Sequence, residues 1–253
     1  MKKIIIANWK MNPGSLKEAR KIFNKIKTAA AKFKKVETVI CPPFTYLSAF
    51  SRGVLGKLSK DSPWIGAQDV FYEDPPAGGG AYTGEISVKM LKNFGVKYVI
   101  IGHSERREMG ETDEIINKKI KAGLGAGLKV VLCVGEKKRD KDGQYFNFVK
   151  NQINRGLKNI PKKLFKNLII AYEPVWAISS QKGARADNPE SALKIAVFIK
   201  RTLLRKISIL YGGSVSPENA HGFLFRAGMD GLLVGNQSLI PENFIKILKI
   251  ANR

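Results

Sequence analysis

Several short stretches of the chain carry the groups needed to move a proton beside a carbonyl. The apolar run Leu168-Ile169-Ile170-Ala171-Tyr172 stops at a carboxylate, Glu173, and proline follows at once. Proline disfavours α geometry in the residue before it, so Glu173 is expected extended, at a strand end. His103 lies in Gly102-His103-Ser104-Glu105-Arg106-Arg107, and Lys10 in Asn8-Trp9-Lys10. If Ser104-Glu105-Arg106 starts a short helix, its N-terminus disfavours imidazolium and leaves His103 a neutral donor. Tyr211-Gly212-Gly213-Ser214 and Gly235-Asn236 offer backbone N–H groups to a phosphate. Together these suit proton abstraction by Glu173, with His103 and Lys10 stabilising the oxygen that turns negative.

Taken singly, each residue has a plainer reading. Glu173 could pair structurally with a cation, His103 could be a satisfied loop histidine, Lys10 one surface lysine among many, and Gly212-Gly213 a turn. His221, the second of two histidines, falls inside an expected helix and reads as structural. The catalytic reading rests on all of them meeting at one point. No metal-ligand spacing is present, and no Gly-rich dinucleotide fingerprint follows the first strand, so neither metal nor cofactor is expected.

Eight apolar runs supply the elements that would bring them together: Lys3–Ala7, Val36–Cys41, Trp64–Ala67, Tyr98–Ile101, Lys129–Val134, Leu168–Tyr172, Ile207–Tyr211 and Gly231–Val234. Most are rich in Val, Ile and Leu without polar alternation, as expected of parallel strands buried on both faces. Helical patterns lie between them, at Ser15–Phe33, Asp113–Ala126, Asn188–Leu204, Ser216–Phe225 and Pro241–Ile250. Ser216-Pro217-Glu218 reads as a helix start. Eight β-α units in this length predict an α/β fold, a (β/α)8 barrel forming one domain over residues 1–253, with an open doubly wound sheet as the alternative. In a barrel the chemistry gathers at the carboxyl ends of the strands, where Asn8, His103, Glu136, Glu173, Tyr211 and Gly235 all fall. Asp69–Gly84 is too long for a simple connection and is expected to be functional or to dock on a partner.

The 253 residues are 44% hydrophobic, which excludes a disordered chain. Ile4 to Ala7 is too short for a signal-peptide core or a membrane span. Cys41 and Cys133 make no disulfide framework, so a reducing cytoplasm is expected. Lys and Arg total 44 against 21 Asp and Glu, a net charge of +23. That excess fits a basic proteome, steering of an anionic substrate, or loose polyanion binding. The lysines form no tract, and no specific nucleic-acid motif accompanies them.

Five motifs, in order, resemble triosephosphate isomerase. They are Asn8-Trp9-Lys10-Met11-Asn12, Thr83-Gly84-Glu85-Ile86-Ser87, Gly102-His103-Ser104-Glu105-Arg106-Arg107, Ala171-Tyr172-Glu173-Pro174-Val175-Trp176-Ala177 and Tyr211-Gly212-Gly213-Ser214-Val215. The resemblance implies a TIM barrel and cofactor-free interconversion of dihydroxyacetone phosphate and D-glyceraldehyde 3-phosphate through an enediolate, in the cytoplasm. It implies Glu173 as base, His103 as electrophile, Lys10 and Asn8 on the substrate, and Glu105 supporting Lys10. Ser179, Ser214, Gly235 and Asn236 would hold the phosphate, backed by Tyr211, Gly212 and Gly213. Glu136 and Trp176 would meet beside the mobile lid. Thr83, Gly84 and Glu85 resemble the loop that enters a neighbouring subunit, so a homodimer is expected. Three features depart from the family pattern: Ser179-Ser180-Gln181 where Gly-Thr-Gly is usual, Gly235-Asn236 where Gly-Gly is usual, and the lengthened Asp69–Gly84 loop. They leave two alternatives, a repurposed basic barrel that binds a polyanion and an isomerase for another small phosphosugar.

Overall fold

The computed structural model describes residues 2–50, 62–73, 80–178 and 187–253. Its eight strands are β1 (Lys3–Asn8), β2 (Val36–Cys41), β3 (Trp64–Ala67), β4 (Tyr98–Ile101), β5 (Lys129–Val134), β6 (Leu168–Tyr172), β7 (Ser208–Tyr211) and β8 (Gly231–Val234). Each pairs in parallel with the next, and β8 returns to β1, so the sheet closes as a barrel in sequence order. The predicted barrel is therefore present and the open-sheet alternative is not. The strand boundaries differ from expectation only by Asn8, which joins β1, and by Ile207, which stays outside β7.

Both faces of the strands are apolar because two cores share them. Ile4, Ile6, Tyr98, Ile100, Cys133 and Ile169 point into the barrel. Alternate residues such as Ile5, Ala7, Val99, Ile101 and Ile170 face the helices. Burying each large aliphatic side chain contributes roughly 1.5–3 kcal/mol. This two-sided burial explains why the strands read as unbroken apolar runs.

The outer layer contains α1 (Leu16–Ala30), α2 (Phe44–Phe50), α3 (Val88–Asn93), α4 (Ser104–Glu108), α5 (Asp113–Gly125), α6 (Gln144–Gly156), α7 (Pro189–Leu203) and α8 (Pro241–Ala251). Ser15 caps α1 by accepting the N–H of Glu18, and Asn188 caps α7 by accepting that of Ser191. Helix α6 has no such cap at its own boundary, where Gly143 is left-handed. Its first N–H groups go instead to Asp140, from Gln144 at 2.7 Å and Tyr145 at 3.0 Å.

The expected helix over Ser216–Phe225 is not a continuous α-helix. Ser216 donates its N–H to Asn219 Oδ1 at 2.8 Å, and the chain turns over residues 217–219. A wider π turn follows at Gly222–Arg226, closed by Ala227 N–H to Gly222 carbonyl. That turn buries Phe223 flat against Tyr211, with ring centroids 3.7 Å apart. Packing on β7 thus overrides the local helix signal. Among the described residues no helix is long and apolar enough to cross a membrane.

Candidate active site

A cavity of about 350 Å³ opens at the carboxyl ends of the strands. It is lined by Asn8, Lys10, His103, Glu173, Gly212, Gly213, Ser214, Gly235 and Asn236, together with Ile178, Asn219, Leu233 and Gln237. The residues singled out from sequence therefore converge, though they span most of the chain. Ser179 and the rest of the Ser179-Ser180-Gln181 stretch lie outside the described residues.

Glu173 is buried at the end of β6. Its backbone N–H continues the sheet to the Val134 carbonyl at 2.8 Å, which fixes where the side chain departs. Carboxylate Oε2 accepts the N–H of Ser104 at 3.0 Å. Oε1 lies 3.2 Å from His103 Nε2 but has no aligned hydrogen-bond partner. One oxygen is thus anchored and the other has no hydrogen-bond donor, in a site where an unpaired acceptor is costly. Gly212 closes in from β7. A Cβ there would come within 2.9 Å of Glu173 Cγ, so this position needs glycine to let the two strand ends meet.

His103 precedes α4, as the sequence suggested. Its Nδ1 accepts the N–H of Glu105 at 3.2 Å, which leaves Nε2 as the ring's donor toward the cavity. Lys10 sits two residues beyond β1 with φ of 53°, a left-handed conformation rare for a side-chain-bearing residue. Its N–H goes to Asn8 Oδ1 at 3.1 Å, its carbonyl accepts from Gln68 at 2.8 Å, and its ammonium meets Glu105 Oε1 at 2.5 Å. Backbone strain of this kind persists where surrounding contacts over-determine it, and it gathers at functional sites.

The phosphate-facing loops are tied to the segment after Glu173. Ser214 sends both its N–H (3.2 Å) and its hydroxyl (2.7 Å) to the Ala177 carbonyl. Asn219, which the sequence reading missed, donates to the Ser214 carbonyl at 3.0 Å and accepts from Ser216, locking the loop after β7. Glu136 and Trp176 do meet: Trp176 Nε1 donates to Glu136 Oε1 at 2.8 Å, as does the Tyr172 hydroxyl. Arg139 was also missed. It donates to the same Glu136 oxygen at 3.0 Å and to the Tyr172 hydroxyl at 2.9 Å, reaches Ser191 Oγ, and lies over the Trp176 ring. Among so many basic residues nothing in its neighbourhood sets it apart.

Thr83, Gly84 and Glu85 are exposed and line no part of this cavity. Glu85 borders a separate hollow of about 280 Å³ beside Arg106, Met109 and Lys119. Asp69, at the root of the long loop, is held by Lys119 Nζ at 2.7 Å and by Arg106 at 3.0 Å.

With an anchored carboxylate, an Nε2 donor and an ammonium on one cavity, comparison with known proteins decides the family. The triosephosphate isomerase family model matches residues 3–251. The chain belongs to the triosephosphate isomerase family. The triosephosphate isomerase of Aquifex aeolicus is 42% identical over 257 residues, covering 98% of this chain and 99% of the relative. That of Fusobacterium nucleatum is 42% identical over 260 residues and covers the full length of both chains. That of Natranaerobius thermophilus is 40% identical over 259 residues, covering 99% and 96%. The family assignment thus extends over the regions that depart from its usual motifs.

Proposed function

We propose that the protein interconverts dihydroxyacetone phosphate and D-glyceraldehyde 3-phosphate, with Glu173 as the base. The observation that carries this reading is the pairing of a free Glu173 oxygen with His103 Nε2 on one cavity. Glu173 Oε1 takes the proton from the carbon beside the carbonyl. The pair of electrons left behind moves onto the carbonyl oxygen, giving an enediolate. His103 donates from Nε2 to that oxygen, and Lys10 offsets its charge at short range. The neighbouring hydroxyl then passes its proton to that oxygen by way of His103 Nε2, and Glu173 returns its proton to the former carbonyl carbon, leaving the new carbonyl on the carbon first deprotonated. Asn8 holds the Lys10 backbone, and Glu105 directs the ammonium. We assign the phosphate to Gly235, Asn236 and Ser214, the last exchanging its bonds to the Ala177 carbonyl for the phosphate, with Gly212 and Gly213 in support; Ser179, which is outside the described residues, belongs to the same assignment. Glu136 and Trp176, braced by Tyr172 and Arg139, anchor the start of the segment that follows Glu173.

The remaining readings belong with this one. The chain is one domain, supported by the family match from residue 3 to 251. It works as a homodimer through Thr83, Gly84 and Glu85, which stand exposed beside Tyr82 and Met109. It acts in the cytoplasm, in keeping with two free, buried cysteines. The test of activity is steady-state turnover of D-glyceraldehyde 3-phosphate beside a Glu173→Gln control. Turnover is expected in the wild type and falls by about three orders of magnitude in the control. A folded wild type without turnover overturns the assignment. Sedimentation velocity tests the dimer, where a monomer at micromolar concentration counts against it.

A further inference from the structure

The opposite end of the barrel carries a second concavity, and the isomerase site makes no use of it. About 450 Å³ in volume, it lies where the strands begin. Ile4, Ile169, Ile207 and Phe165 form an apolar floor, and Lys2, Lys129, Lys166 and Lys206 stand on the walls. These lysines are far apart in sequence. They converge because every parallel strand starts at the same end and each of four strands, β1, β5, β6 and β7, has a lysine at or just before its start.

Charge balance at this mouth is lopsided. Glu37 is the one carboxylate among the described lining residues. It is already engaged, accepting from the Tyr98 hydroxyl at 2.5 Å and from Lys129 Nζ at 2.8 Å. Lys2, Lys166 and Lys206 are exposed and have no hydrogen-bond or ion-pair partner among the described residues. Three unneutralised ammonium groups around one hollow repel one another, and low-dielectric walls concentrate their field. Any anion seated there relieves that repulsion.

We propose that this mouth is a second ligand site, for a small molecule bearing two or more phosphoryl groups. Several separated ammonium groups match several phosphoryl groups better than one, since each lysine acts as a point charge. The concave shape suits a small molecule more than a nucleic-acid duplex. The site is independent of the isomerase reading, because it lies at the other end of the strands from Glu173.

The test is calorimetric titration with inorganic tripolyphosphate at low ionic strength. Wild-type protein is expected to bind one tripolyphosphate per chain at this mouth. The double variant Lys166→Gln/Lys206→Gln weakens binding by about tenfold or more, while its isomerase turnover stays at the wild-type level. Lys17→Gln/Lys21→Gln, on the outer face of α1, removes the same charge and changes binding less than about twofold. Lys10→Met leaves this binding in place. Equal weakening in both double variants reduces the effect to net charge and overturns the proposal. Loss of binding in Lys10→Met places the anion in the isomerase cavity and overturns it too, as does a wild type that does not bind.

Discussion

The two mouths of the barrel are built from the same strands and treat their polar groups in opposite ways. At the carboxyl end, Glu173 keeps one oxygen without a hydrogen-bond partner, the Ser104 hydroxyl is likewise unpaired, and Lys10 holds a left-handed backbone. At the amino end, Glu37, Tyr98 and Lys129 satisfy one another within 2.8 Å. Lys3 caps the Leu224 and Met229 carbonyls there, and Asp230 accepts the N–H of Ile209. Among the described buried groups, unspent hydrogen-bonding capacity marks the end that does chemistry, whereas the amino end satisfies its buried polar groups and leaves only exposed lysines unpaired.

A pair of single-group changes breaks this comparison most sharply. His103→Gln is expected to lower kcat/KM by about 10²-fold or more, roughly 3 kcal/mol of transition-state stabilisation, with the urea midpoint nearly unchanged. Tyr98→Phe should do the reverse, costing about 1 kcal/mol of stability with wild-type turnover. Activity loss in Tyr98→Phe, or unfolding in His103→Gln, would erase the distinction.

Arg139 tests whether the carboxyl end is unsatisfied throughout or only at its centre. It neutralises Glu136, whose side chain is 1% exposed. Arg139→Met leaves that carboxylate buried without its cation, and urea melts should show a loss of about 2–3 kcal/mol. A loss below about 0.5 kcal/mol would show that Tyr172 and Trp176 alone hold Glu136.

The strain at Lys10 makes a finer test. Lys10→Gly and Lys10→Met both remove the ammonium and the Glu105 pair, and both lose turnover. Only glycine tolerates φ of 53° freely, so Lys10→Gly is expected to be the more stable of the two by about 1 kcal/mol. Equal stabilities would mean that the conformation carries no strain.

Alkali gives the smallest separation. Burial pushes the Cys41 thiol and the Tyr98 phenol well above their ordinary values of 9.0 and 10.0, and the Glu37 carboxylate adds to the effect on Tyr98. An acid raised in the folded state favours folding below its unfolded value. That contribution falls away as pH climbs past about 9 to 10 and keeps falling toward the folded value. Urea midpoints should therefore drop between pH 8 and pH 10.5, and less steeply in Tyr98→Phe than in the wild type. Parallel slopes would remove Tyr98 from the alkaline transition.

Much of the carboxyl end was legible in advance. Glu173-Pro174 announces a strand end by the conformational limit proline imposes, and apolar residues at helical spacing announce α1. These signals act between residues a few positions apart. Once eight parallel strands are granted, their carboxyl ends must share one mouth, so Asn8, His103, Glu173 and Gly235 meet without further information. The helix expected at Ser216 failed because stacking of Phe223 on Tyr211 outweighed the local signal there. Helix α6 escaped notice because Gly143 stands at its boundary and the carboxylate that caps it, Asp140, lies four residues before Gln144.

What the sequence determined by itself was which residues end the strands, and hence the barrel and the cast of the active site. Only the tertiary structure decided which Glu173 oxygen is anchored, that Arg139 reaches Tyr172 and Ser191, and that Lys2, Lys129, Lys166 and Lys206 ring one hollow. The reason is range. Strand ends and caps are set by interactions within a few residues, whereas these contacts join positions tens of residues apart or more, and only closure of the barrel and its strand register bring them within ångströms.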